Sequence, residues 1–187
     1  HLSISTRRDV LGNIVGYLGI ATDVTERHLA EKALQHRNAL LSLGRDVAGA
    51  FAVNETCDLT LRICAEAMVK HLDAAFARIW IFNSSQNVLE LKASAGMYTH
   101  LNGAHARIAI GQFKIGRIAE ERKPHLTNSV LDDSRIGDRE WARREGLVSF
   151  AGYPLLVENR LVGVLGLFAK HPLSATALES LQVIASQ

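Results

Sequence analysis

Two long apolar runs, residues 148–157 and 161–170, are separated only by Glu158, Asn159 and Arg160. Strands of that length joined by a tight polar turn form an antiparallel hairpin, whose apolar face must then be covered by a second layer. The arrangement occurs twice. Residues 76–82 are rich in β-branched and aromatic side chains, 83–87 is a turn string (Asn-Ser-Ser-Gln-Asn), and 88–95 pairs back. A helix over 54–71, capped by Asn54, precedes the first hairpin, with Leu59, Ile63, Ala67 and Val69 facing inward. A last helix, capped by Ser174 and carrying Leu178, Leu181 and Ile184, follows the second hairpin.

Between the hairpins lies a variable middle. The pattern predicts a strand over 107–110, a helix over 114–121 stopped before Pro124, a strand over 125–127, and a charged helix over 139–145 ended by Gly146. Helix, hairpin, middle, hairpin, helix is the signature of an α+β fold, an antiparallel sheet flanked by helices, over residues 53–187. The last helix and the first long helix can share one sheet face. The middle segment would then roof a cavity on the other.

The first 52 residues divide differently. Over residues 1–22, Leu2, Ile4 and Thr6 alternate, Asp9 to Asn13 supplies turn residues, and 14–21 resumes an apolar run, which predicts a β-hairpin. Two strands alone are marginal in water, so this hairpin is expected to be the end of a domain that starts earlier. Residues 23–52 read as a long helix capped by Asp23 or Thr25. Ala30, Ala33/Leu34, Leu40/Leu41, Val47/Ala48 and Phe51 recur near a 3.5 period, with Arg37 and Gly44 interrupting. Such a seam suits a parallel partner helix; an amphipathic helix packed on its own domain is the alternative.

Composition narrows the function classes. With 48% hydrophobic and 21% charged residues, the 187-residue chain is not of disordered composition. Its net charge of +2 comes from interspersed signs, without the basic cluster of a nucleic-acid binder. The longest charge-free apolar stretch, 146–157, falls short of the roughly 18 residues of a membrane span. No signal-peptide pattern opens the chain, and with His and not Met at position 1 the chain is expected to be a piece of a longer protein. Cys57 and Cys64, seven apart on a helix, cannot bridge and are expected to be buried packing residues.

Two stretches carry a family resemblance. Residues 9–27, ending in Asp-Val-Thr-Glu-Arg, resemble the closing strands and exit motif of a PAS sensor domain leading into a signalling helix. Residues from about 44 to 187 resemble a GAF domain. The supporting segments are 75–82 (Ala-Phe-Ala-Arg-Ile-Trp-Ile-Phe), 110–119, 124–128 (Pro-His-Leu-Thr-Asn), 146–155 and 161–168 (Leu-Val-Gly-Val-Leu-Gly-Leu-Phe). The resemblance implies a six-stranded antiparallel sheet with a small-molecule pocket on one face, and parallel homodimers through the helices. Neighbouring PAS and GAF modules imply a cytoplasmic bacterial sensor protein, most often a histidine kinase. A nucleotide cyclase or a transcription activator is the alternative parent, and a ligand-free dimerisation and relay module is the alternative role.

The candidate ligand-binding residues are Arg78, Trp80, Gly111, Phe113, Trp141, Phe150 and Tyr153. Alternation places Arg78 and Trp80 on one strand face. Gly111 turns the chain into a short helix whose first amides can hold an anion. An aromatic lining with one arginine suits a small, partly anionic or aromatic ligand. No catalytic constellation or metal-ligand spacing stands out, and no enzyme activity is expected of this segment. No cofactor is expected either; haem on one of the loop histidines, His100, His105 or His125, is a secondary reading. Neither cysteine lies in the middle segment, which disfavours a covalent bilin. His36-Arg37-Asn38 lacks the spacing of a phosphoacceptor motif, and Gly111-x4-Gly116-Arg117 is not a phosphate loop. The acidic residues Asp132, Asp133, Asp138 and Glu140 lie among arginines, which predicts ion pairs and capping, with Glu140 and Arg144 four apart on a helix.

Overall fold

The computed structural model of the chain describes residues 2–52 and 56–185. Asn54, the expected helix cap, lies outside the described residues. The chain divides into two compact units, with the boundary between Asn38 and Ala39.

In the first unit, β1 (Leu2–Arg8) and β2 (Ile14–Ala21) pair antiparallel, with Ile4 opposite Gly19 and Thr6 opposite Tyr17. Asp9 closes the turn: its carboxylate accepts from the Leu11 and Asn13 amides, both at 2.9 Å. Gly12 supplies the φ of +88° that the turn needs. Ile4, Ile14, Val15, Tyr17 and Leu18 all stay exposed. The helix that follows, α1 (Thr25–Ala52), opens with Asp23 accepting from the Thr25 amide at 2.8 Å.

The second unit is built on a six-stranded antiparallel sheet. Its strands are β3 (Ala74–Asn83), β4 (Val88–Gly96), β5 (Arg107–Ala109), β6 (His125–Thr127), β7 (Ser149–Val157) and β8 (Arg160–Ala169), in the order β5-β4-β3-β8-β7-β6. The β7–β8 connection is a two-residue turn with Glu158 and Asn159 at φ +49° and +64°, the doubly left-handed geometry that matches the twist of the flanking strands. Helix α2 (Cys57–Leu72) precedes the sheet, α3 (Phe113–Glu121) and α4 (Arg139–Arg144) interrupt it, and α5 (Ala175–Ala185) follows. The Ser174 hydroxyl accepts from the Ala177 amide at 3.2 Å and caps α5.

The sheet separates two cores. On one face, Leu43, Val47 and Ala50 of α1, Cys64, Ala67, Met68 and Leu72 of α2, and Ala177, Leu181 and Ala185 of α5 pack on Ala77, Ile79, Ala93, Ala151, Tyr153 and Leu165. On the other, α3, α4 and the loop around Val130 and Ile136 pack on Phe76, Trp80, Leu89, Phe150, Val164 and Phe168. Alternation along β3, β7 and β8 sends neighbouring buried residues to opposite cores, with Ala74 out of step across the register shift before Phe76.

Some local readings are corrected. In α2 the buried line runs through Thr60, Cys64, Ala67 and Met68; Ile63 and Val69 pack against the same core half-buried, whereas Leu59 is half-buried outside it. Cys57, the first residue of α2, is exposed and not a packing residue. In α1 the buried face is Leu43, Val47 and Ala50 with Leu40 half-buried, while Leu41 and Phe51 remain exposed. Arg144 pairs with Glu145 at 3.6 Å and not with Glu140.

Candidate functional site

A cavity of about 740 Å³ lies between the sheet and the α3–α4 layer. Its sheet wall is Phe76, Arg78 and Trp80 of β3, Phe150 of β7, and Gly166 and Phe168 of β8. Those residues share one face because they are two apart on each strand. Gly166 leaves room at the wall: a Cβ there would stand 3.1 Å from Ile115 Cδ1 and 3.4 Å from the Trp80 ring. The opposite wall comes from Phe113, Lys114 and Ile115 in the first turn of α3, from residues 134–138, and from Trp141 of α4. Tyr98, His100 and His105 complete the rim.

The rings form a connected set. Phe76 stacks on Phe168 with centroids 5.2 Å apart and meets Tyr98 edge-on at 5.2 Å, and Phe150 lies 4.9 Å from Phe168. Trp141 meets Phe168 edge-on at 5.5 Å, and its Nε1 donates to the Tyr98 hydroxyl at 3.0 Å. Trp80 Nε1 donates to the His105 carbonyl at 2.8 Å. Asp138 positions Trp141 by accepting its amide at 2.8 Å, which starts α4.

Four cations line the cavity, Arg78, Lys114, Arg117 and Arg135; Arg135 pairs with Glu121 at 3.1 Å, and Arg78 and Lys114 lie against the rings. Arg78 donates from Nε to the Ser94 hydroxyl at 3.1 Å, and its guanidinium stands 5.7 Å from the Phe76 and 5.6 Å from the Tyr98 centroid. One terminal nitrogen lies 3.4 Å from His100 Nε2. Lys114 holds its ammonium 3.9 Å from the Phe168 centroid and 4.5 Å from that of Phe150. Among the described residues neither Arg78 nor Lys114 is hydrogen-bonded or ion-paired to a carboxylate.

Of the residues singled out from sequence, Arg78, Trp80, Phe113, Trp141 and Phe150 line the cavity and Gly111 and Tyr153 do not. Gly111 makes the turn into α3 at φ +82°, and a Cβ there would meet the Glu120 carboxylate, on the side of α3 away from the cavity lining. Tyr153 has the opposite parity to Phe150 on β7. It therefore enters the helical core, where its hydroxyl donates to the Leu178 carbonyl at 2.8 Å. Sequence reasoning missed Lys114, Tyr98 and Phe168. Phe168 was accessible from the alternation of β8; nothing local marks Lys114, which becomes a cavity residue only once α3 docks.

A family model of the GAF domain matches residues 55–187. The chain belongs to the GAF domain family. A GAF domain is a sensory and signalling module, and this one superposes on solved GAF domains. With that from a Coxiella burnetii phosphoenolpyruvate-protein phosphotransferase the TM-score is 0.67 at 17% identity, over 82% of this chain and 89% of that one. An A. aeolicus GAF domain in an inactive state gives 0.61 at 16%, over 82% and 93%. A free methionine-R-sulfoxide reductase from Neisseria meningitidis, in complex with its substrate, gives 0.63 at 18%, over 89% and 88%. At these identities the likeness is one of fold. No match was found among curated proteins.

The electrostatics of the GAF cavity follow from the burial of its charged groups. Burial pushes the Lys114 amine down to about 7, with Asp133 acting weakly in the other direction. The ring faces attract the ammonium, but losing water without a hydrogen-bonded anion costs more. Burial also lowers Arg78, and lowers the His105 imidazole, which Arg78 and Lys114 push further down. Burial works to raise the Asp133 carboxyl. The Arg135 amide, His125 at 2.6 Å and the Lys114 charge outweigh it and leave Asp133 below its ordinary value. The Cys64 thiol is pushed up to about 11 by burial and is a packing residue, not a nucleophile. Among the described residues no group of three or more His, Cys, Asp or Glu side chains could hold a metal ion, and no helix is long and apolar enough to cross a membrane.

Proposed function

We propose that this GAF domain binds a small, planar, anionic ligand and relays its presence through helices to an output domain. The observation carrying this reading is that Arg78 and Lys114, both without a carboxylate partner, line one aromatic cavity of about 740 Å³. A ligand carboxylate or phosphate would supply the missing counter-charge, and flat apolar groups would lie between Phe76, Trp141, Phe150 and Phe168. An open cavity, where a ligand-free relay would have a filled core, favours the binding role.

The hairpin β1–β2 running through an Asp23-capped turn into α1 supports placing a PAS domain ahead of this module, in a cytoplasmic bacterial sensor histidine kinase. A nucleotide cyclase or transcription activator is the alternative parent. Leu34 and Leu41, seven apart and exposed on α1, are the apolar positions for a parallel homodimer. Trp80 and Trp141 both line the cavity, so ligand binding is read directly from tryptophan fluorescence during titration with aromatic carboxylates. Replacing Arg78 by Met is expected to weaken binding by about 10- to 100-fold, as for a hydrogen bond to a charged group. Unchanged affinity in that variant would overturn the reading.

A further inference from the structure

We infer that the Lys114 amine captures an anionic aldehyde or 2-oxo acid as a reversible imine. The inference rests on the reading of the cavity as an anion-binding site and names the chemistry of its ligand.

The geometry sets Lys114 apart from every other cation in the cavity. The residue as a whole is half-buried, but its Nζ lies against the faces of Phe150 and Phe168, inside the space a ligand would fill. No described residue hydrogen-bonds to it or pairs with it. It is the second residue of α3, so the positive end of that helix stands behind it. Arg78 lines the same cavity from the sheet side, and Asp133 acts on the amine from the loop in favour of its charged form. Desolvation, helped by a helix amino terminus, keeps a lysine amine neutral and nucleophilic, and here it outweighs the Asp133 charge. A lysine whose task were only to pair an anion would be better left fully charged, and Arg78 already fills that task. The guanidinium is fixed by Ser94 and by the Phe76 and Tyr98 rings, leaving further N–H donors for a carboxylate.

The step balances without an oxidant or reductant. The amine lone pair attacks the carbonyl carbon and a carbinolamine forms. In that step one nitrogen proton passes to the carbonyl oxygen; the resulting hydroxyl then takes up a proton and leaves as water, giving the protonated imine, which keeps or loses the single proton left on nitrogen. The imidazole of His105, at the rim and held toward its neutral form, is placed to accept and return the proton. Hydrolysis reverses the sequence, so occupancy follows the carbonyl compound's concentration.

The test uses the full chain with 4-carboxybenzaldehyde and cyanoborohydride, which reduces an imine to a stable secondary amine, and 4-methylbenzoate as the shape-matched acid without a carbonyl. The expected result is a protein heavier by the aldehyde less one oxygen atom, mapped to Lys114, forming roughly tenfold faster than on any other lysine. An excess of 4-methylbenzoate should suppress it. Lys114→Arg has no amine that can form an imine and should give no adduct at that position, while the slow background adducts on the other lysines remain. If both compounds bind with equal affinity and adducts scatter over the exposed lysines, the imine is overturned and the anion site stands. If neither binds, both readings fall. The mapping and protection arms use the unmodified chain, so they decide the matter even if the arginine variant does not fold.

Discussion

Lys114 is the residue where burial and charge disagree most. In the folded chain its amine titrates near 7, against about 10.4 for a free lysine. Below pH 7 both states carry the proton and the folded state bears the full cost of a poorly solvated ammonium. Between 7 and about 10 the unfolded chain binds the extra proton, so this residue makes stability rise with pH. Lys114→Met is therefore expected to stabilise the domain by about 2 to 4 kcal/mol at pH 6, with the gain fading as the pH approaches 10. Urea denaturation at pH 6, 8 and 10 measures this, and a gain independent of pH would show that the ammonium is better solvated than its surroundings indicate. The sequence made other residues easier to place. Arg78, Trp80 and Phe150 follow from strand parity, which a sequence states directly. The misplacement of Tyr153 came from counting it with Phe150, although an odd separation along a strand always means opposite faces. Lys114 was not legible because its environment is made by Phe150 and Phe168, strand residues beyond its own helix.

At the scale of elements, α1 shows why a heptad-like pattern does not by itself name a partner. Leu40, Leu43, Val47 and Ala50 follow the 3.6-residue period and pack on the module's own core, whereas Leu41 stays 60% exposed. The sequence spacing at 40/41 and 47/48 fits both faces, and only the docked α2 tells them apart. Asp46 fixes the choice by meeting His71 Nε2 at 2.7 Å and Lys70 at 3.6 Å. Leu43→Ala should cost about 2 to 4 kcal/mol in urea denaturation through the cavity it leaves. Leu41→Ala should change that value by less than about 0.5 kcal/mol. If α1 also joins two copies, Leu41→Ala should instead shift the sedimentation profile toward monomer. Equal losses from the two variants would place Leu41 in the core. The strands were the most legible elements, since turn chemistry at 83–87 and 158–159 bounds them sharply. The starts of α2 and α3 were less so, because neither cap residue, Thr56 or Gln112, makes a side-chain capping bond.

For the whole molecule, both cores and all six strands of the larger sheet belong to the unit that begins at Ala39. A chain starting there keeps Leu40, Leu43, Val47 and Ala50 and should fold on its own, melting within about 3 °C of the full chain. A loss of more than about 8 °C in a calorimetric scan would show that residues 1–38 stabilise the larger unit. The α+β architecture was readable because two apolar hairpins and their flanking helices admit few arrangements. The contents of the cavity were not, because they depend on how the middle segment closes over the sheet.

That sheet has a mechanical consequence. The cavity wall and the helix-bearing wall are the same backbone: Phe150 and Ala151, or Trp80 and Ile79, are neighbours along one strand facing opposite ways. The helix side is surfaced largely with alanines, Ala77, Ala93, Ala95, Ala151 and Ala169. Such a wall works as a diaphragm one peptide thick. Pressure from an occupant on the aromatic side would reach the helices as displacement of the strands themselves, with no chain of rotating side chains needed in between.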